Sequence, residues 1–371
     1  MSGMAMLSAE VEWKRKKLMN FLRPQGIEGA FFGTRAGFAW ATGGRVNRIA
    51  NSSPTGVAGV LVTDDDVTCL TNTIEAPRFR NEELVGTGID VVEFDWFDSA
   101  SRKKVGSDLI RGRNVVADAD IWGLGLAHLP AGVEKLRWQL TPEEILRYRE
   151  GGRRAAQAVE ATCREIRPGM TEHEIAGMMT HHVHQRGLNP VVTLVASDER
   201  VRDYRHPIPW DRKVQSYAML VNCSEFGGLI SNLTRFVRFG KVDAELARNH
   251  QGVCEVDAAV NLATHPGRTL GDLFEVLKKA YSDEGFPDQW RLHHQGGSTG
   301  YAGRDVFAVP GDTTQVLDFQ AFAWNPSITG TKSEDTVLVA GGGVEVLTPM
   351  TADWPRVKTR VGMDRAGMWE G

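Results

Sequence analysis

Apolar and polar positions follow two different periods along this chain. Residues from about 8 to 23 read as a charged amphipathic helix, whereas GAFFGT, GVAGVLVT, VTCLTN and DVVEFDW are short β-like runs parted by Gly and Asp turns. RNVVADADIWG adds one more strand, so strands alternate with helices and an α/β domain is expected. The polar stretch LRWQLTPEEILRYRE then opens a long helix, with Thr141 as N-cap and Pro142 in its first turn. A domain boundary is placed near residue 140, giving segments 1–139 and 140–371.

Beyond that boundary a local pattern occurs twice, as IRPGMTEHEIAGMM from Ile166 and THPGRTLGDLFEVL from Thr264. In each, a helix ends at Pro-Gly and a Thr (Thr171 or Thr269) caps the next, with Glu174 or Asp272 three residues on. Pro-Gly-X-Thr is common helix punctuation and coincidence would produce it. The surrounding helix-helix-strand order also repeats, however, and a duplicated unit would enclose a cleft between two sheets.

Composition narrows the partners. With 371 residues, two domains are expected, and 42% hydrophobic with 24% charged residues is ordinary for a globular protein. The formal charge of -4 and the lack of like-charge blocks argue against nucleic acid and anionic membrane, leaving a small-molecule substrate. No stretch has the apolar length of a signal peptide core or a membrane span, so a cytoplasmic protein is expected. Cys69, Cys163, Cys223 and Cys254 are widely spaced without a CxxC pair, which predicts reduced thiols rather than a zinc knuckle or disulfide framework.

Four stretches carry a family resemblance: DYRHPIPWDRKV, AMLVNCSEFGGLISNLTRFVRFG, RLHHQGGSTGYAGRD and QAFAWNPSITGTKSEDTVLVAGGGVEVLT. In order and spacing they resemble the catalytic half of the creatinase, prolidase and aminopeptidase P family. The resemblance covers about residues 140–350 and implies a small N-terminal creatinase-like α/β domain. It implies next a pita-bread α+β domain with an internal pseudo-two-fold repeat. The metal-dependent members hold two divalent ions with two Asp, one His and two Glu. Here the matching positions carry Asn222, Asn232 (with the interval between them one residue short), Gly297 and Asn325, and only Glu334 stands as expected. One carboxylate against the metallopeptidases' four predicts no tightly held metal pair, and no cofactor is expected. Asp203, Asp211, Asp305 or Asp335 could replace a ligand only if a strand register were shifted.

Creatinase works in this fold without metal, and the resemblance to it implies roles for several residues. His206 falls on its catalytic His, Asn222-Cys223 on its Asn-Cys, and Arg304 on an arginine that binds a substrate carboxylate. Thr234 and Asn325 stand where creatinase grips its cationic guanidinium with Glu, which argues against creatine. His293 is a second catalytic or oxyanion-binding candidate and His294 a substrate-facing one; Glu334 either bonds one of these groups or anchors the sheet with Lys332. Asn222, Asn232, Asn325, Thr234 and Arg304 together would line a pocket for a neutral polar or anionic ligand. Trp40, Arg45 and Arg48 would either lean over a partner's pocket, since creatinase relatives are homodimers, or serve ordinary turns. His181, His182 and His184, without an evident carboxylate partner, read as a solvated helix face rather than a metal site. The expected function is a metal-independent hydrolase or lyase acting on a C–N bond of a small polar, carboxylate-bearing compound. The alternatives are a non-catalytic scaffold and an Xaa-Pro-type metallopeptidase with a rearranged site.

Overall fold

A computed structural model describes residues 7–241 and 243–371. The chain divides into two compact units, the first ending at Arg137 and the second beginning at Trp138.

In the N-terminal unit the expected helix is Ala9–Leu22, continued by a short 3-10 turn at Arg23–Gln25. A six-stranded sheet runs in the order Asp90–Phe94, Val67–Asn72, Thr55–Thr63, Gly29–Thr34, Val115–Ala117, Ala127–His128. The strand expected from RNVVADADIWG is cut to Val115–Ala117. Asp118 ends it by accepting the Gly33 and Thr34 amides at 2.7 and 3.1 Å. Asp120 then folds the rest into a turn by accepting from the Leu124 and Gly125 amides. FAWA is helical, within Arg35–Ala41, capped by the Thr34 side chain. Trp40 is therefore not poised over a partner: it is 3% exposed and packs edge-on against Phe32 inside its own unit.

The C-terminal unit contains two helix pairs, each on its own sheet. Pro142–Glu165 starts with a complete capping box between Thr141 and Glu144, a feature that stabilises a helix by about 1 kcal/mol. Glu172–Gln185 and Leu270–Asp283 begin the same way at Thr171 and Thr269, where Asp272 closes the box as well as Glu174 does. Both Thr residues also form an isolated β-bridge to a downstream loop, Thr171 with Lys213 and Thr269 with Gln315, so the sequence repeat is a structural repeat. Val159, Cys163, Ile175 and Met179 on the first pair pack on Val195, Leu220, Leu233 and Val237. Val253, Val256, Leu273 and Leu277 on the second pack on Phe322, Trp324, Val337 and Val339. Each such fully buried side chain contributes roughly 1.5–3 kcal/mol.

The first sheet has the order Met368–Glu370, Leu229–Arg238, Tyr217–Phe226, Asn189–Ser197. The second has the order Val306–Phe307, Gly296–Thr299, Ala321–Trp324, Thr336–Ala340, Gly343–Val346. They are stitched together where Thr234 donates its amide to the Glu334 carbonyl at 3.1 Å and Asn232 donates its own to Thr336 Oγ1 at 2.7 Å. Behind this seam runs a buried chain of charges, Glu160, Arg235, Asp335, Arg365 and Asp257, each within 3.2 Å of the next.

His182 corrects the expectation of a solvated histidine face. It is buried, with Nε2 3.0 Å from Glu165 Oε1 and Nδ1 3.2 Å from Arg186 Nη1. The carboxylate comes from the end of the preceding helix, so only helix packing brings it there. His181 and His184 are exposed. All four cysteines are free thiols. No helix among the described residues is long and apolar enough to cross a membrane.

Candidate functional site

The strand Leu229–Arg238 presents alternate residues to opposite sides, and this decides which candidates meet. Cys223 pairs with Asn232 and Val221 with Thr234, whereas Asn222 pairs with Leu233. Directly opposed residues share a face, so Asn232, Thr234 and Cys223 look one way and Asn222 the other. Asn222 lies on the helix-covered side with Leu220 and Leu233, donating to the Val192 carbonyl at 3.3 Å and accepting from Ser224. The expectation that Asn222 lines a pocket is corrected by this register; Cys223 takes its place. The signal was present in the sequence as the interval one residue short.

Glu334 is at the centre. Its carboxylate accepts from Arg304 Nη2 at 2.9 Å, Lys332 Nζ at 2.8 Å and Thr234 Oγ1 at 2.9 Å. Burial pushes its pKa up, but Lys332 and Arg304 overcome this and hold it at about 2. Glu334 is thus a fixed counter-ion with two cations around one anion. Arg304, expected as a free anchor, also donates Nη1 to the Gly303 carbonyl at 2.6 Å, and its Nε is buried without a partner. Burial, assisted by Glu334, pushes the Cys223 thiol up to about 12, which keeps it neutral.

Three imidazoles converge beside this seam. His293, at the end of the 3-10 turn Gln289–Leu292, places Nε2 3.1 Å from His206 Nε2, and Asn325 Nδ2 lies 3.4 Å from the same His293 atom. The His294 ring centroid is 4.5 Å from that of His293 and 5.4 Å from that of His206, with Phe307 edge-on at 4.9 Å. Burial lowers the pKa of all three rings, and the nearby Lys332 and Arg304 add to the effect on His206 and His294. His294 reaches about 4 and His293 lies well below the ordinary imidazole range. All three are neutral at pH 7. His293 is buried while His206 is exposed, so the pair spans from interior to surface. His293 Nδ1, His294 Nδ1 and Asn325 Oδ1, on residues whose side chains meet at His293, are buried polar atoms without partners.

The donor set does not fit the family's pair of divalent ions. Asn232 and Asn325 are neutral amides, Asn222 faces away, and Glu334 is consumed by its cations. Gly297 cannot be a lapsed ligand position in any simple sense: it has φ of 150°, and a Cβ there would collide with the Val306 carbonyl of the adjacent strand. Among the substitute carboxylates, Asp335 is held by Arg235, Arg365 and Thr348. Asp203 and Asp211 are exposed. Arg45, in the N-terminal unit, donates to the Val85 carbonyl at 3.2 Å. Arg48 belongs to the same unit.

The fold and the paired sheets define a pita-bread hydrolase scaffold. Residues 147–341 match the model of metallopeptidase family M24, and the chain belongs to that family. An uncharacterized peptidase of Staphylococcus aureus is 24% identical over 313 residues, covering 82% of each chain. The prolidase of Pyrococcus horikoshii superposes with a TM-score of 0.76 at 17% identity, covering 92% of this chain and 99% of its own. The N-terminal domain of FACT complex subunit SPT16 from chickpea superposes with a TM-score of 0.68 at 11% identity, covering 93% and 98%. The last two share the fold.

Proposed function

We propose that this protein is a hydrolase or lyase that acts, without the family's metal pair, on a C–N bond of a small carboxylate-bearing compound. The observation that carries the reading is the neutral His206–His293 contact beside a Glu334 already saturated by Arg304 and Lys332. Two cations around the single Glu334 carboxylate favour an anionic substrate, with Arg304 Nε and Lys332 as charge-assisted donors. Neutral His206 is exposed enough to meet substrate. In hydrolysis it takes a proton from water as the oxygen attacks the carbon, then returns that proton to the departing nitrogen. His293 orients it through the shared Nε2 contact, and Asn325 fixes His293 in turn. The same reading includes a homodimer in which Arg45 and Arg48 help to close the partner's site.

The test is turnover of small carboxylates bearing amide, amidine or ureido bonds after exhaustive chelation. Unchanged rates support the proposal. Loss of activity that Mn, Zn or Fe restores would favour an Xaa-Pro-type metallopeptidase, the reading that family membership by itself suggests. A scaffold role is separated by His206→Ala, which would leave a binding function intact while abolishing turnover in an enzyme.

A further inference from the structure

We propose that His206, His293 and His294 form a binding site for one borderline divalent ion of the zinc class, and that occupancy inhibits the enzyme. The inference rests on the acid–base role given above to His206.

Among the described residues these three form the one group of His, Cys, Asp or Glu whose ligand atoms gather closely enough to hold an ion, all within 4.8 Å of one another. The 3.1 Å between His206 Nε2 and His293 Nε2 is near the separation of about 3.4 Å that two nitrogens take up around a tetrahedral zinc bonded at roughly 2.0–2.1 Å. Lowered proton affinity keeps the rings neutral and their lone pairs available. The proton now held at the His206–His293 contact moves to the far nitrogen of the donating ring, so that both near lone pairs face the ion. His206 is exposed and gives an entry path.

The donor chemistry sets the ion. Three imidazole nitrogens suit zinc, nickel or copper, whereas magnesium, calcium and manganese need oxygen ligands. The one adjacent carboxylate, Glu334, is bound to Arg304, Lys332 and Thr234. Those two cations repel a dication, so the affinity is that of a reversible regulator rather than a resident cofactor. This is the reverse of the family's logic, since a metal bound here removes the lone pair that the general base needs.

The experiment is calorimetric titration of the chelator-stripped full chain with zinc sulfate, alongside the visible absorption of the cobalt-loaded protein. One saturable site is expected. His294→Ala and His293→Ala should weaken it by more than the roughly 10–100-fold that loss of an outer-shell partner costs elsewhere. His181→Ala, on an exposed helix face, should leave it unchanged. Circular dichroism of each variant separates ligand loss from unfolding. Absence of a saturable site, or zinc binding indifferent to both substitutions in folded protein, overturns this inference and leaves metal-free turnover untouched. Zinc-dependent activation overturns the inhibition and the metal-free reading together.

Discussion

His206 and His293 meet Nε2 to Nε2 at 3.1 Å, one ring reaching solvent and the other buried. Such a contact requires one donor and one acceptor, so it holds only while the pair is neutral or singly protonated. His206→Gln is expected to lower kcat by about 10²–10⁴-fold with little change in ligand affinity, the loss typical of a general acid–base group. Steady-state kinetics with a binding titration checks this. Because burial and Lys332 lower the His206 pKa, the acid limb of the rate profile should fall below the ordinary imidazole value of 6.5.

Arg304 and Glu334 should separate binding from stability. Arg304→Lys keeps a charge but loses the forked contact to Glu334 and Gly303, and a rise in KM of about tenfold or more is expected with a smaller change in kcat. Glu334→Gln leaves two buried cations without their anion and should cost about 3–5 kcal/mol, measured by urea unfolding. An equal loss in both variants would show that Arg304 serves only the ion pair.

Gly297→His would restore the family's residue type without restoring a ligand. Its side chain must displace the strand Val306–Phe307, whose Val306 carbonyl occupies the Cβ position. The variant should lose about 3 kcal/mol or more and gain no manganese site by titration. A stable variant that binds manganese would mean that this strand yields easily.

His250 gives a stability prediction at a buried position outside the candidate site. It donates Nε2–H to the Ala366 carbonyl at 3.0 Å and accepts the Thr331 hydroxyl on Nδ1 at 2.7 Å, so protonation breaks a bond in the interior. Burial lowers its pKa from 6.5 to about 4. The unfolded chain then binds more protons in that window, and stability falls as pH drops from 6.5 towards 4, by on the order of 3 kcal/mol. Thermal melts across that range should show the slope, and His250→Gln should make it shallower, leaving the part that the lowered pKa values of His206, His293 and His294 contribute.

Much of this protein can be read from local patterns along the chain. The helix starts at Thr141, Thr171 and Thr269 were legible because a capping box is a local transaction between residues three apart. The repeat, the two sheets and the family followed from order and spacing, and so did the loss of carboxylates from the metal positions. Tertiary structure decided what locality could not reach. A one-residue difference in a hairpin sends Asn222 to the helix side and Cys223 to the seam, since side chains alternate along a strand. Glu165 found His182 through the packing of two helices, and Trp40 went into a core. Glu334 lies far from Thr234 and Arg304 along the chain: its bond to Thr234 exists because two sheets join at one seam, and its pair with Arg304 because the second sheet brings distant segments together. His206 likewise lies far along the chain from the adjacent His293 and His294, and only the fold brings it to them.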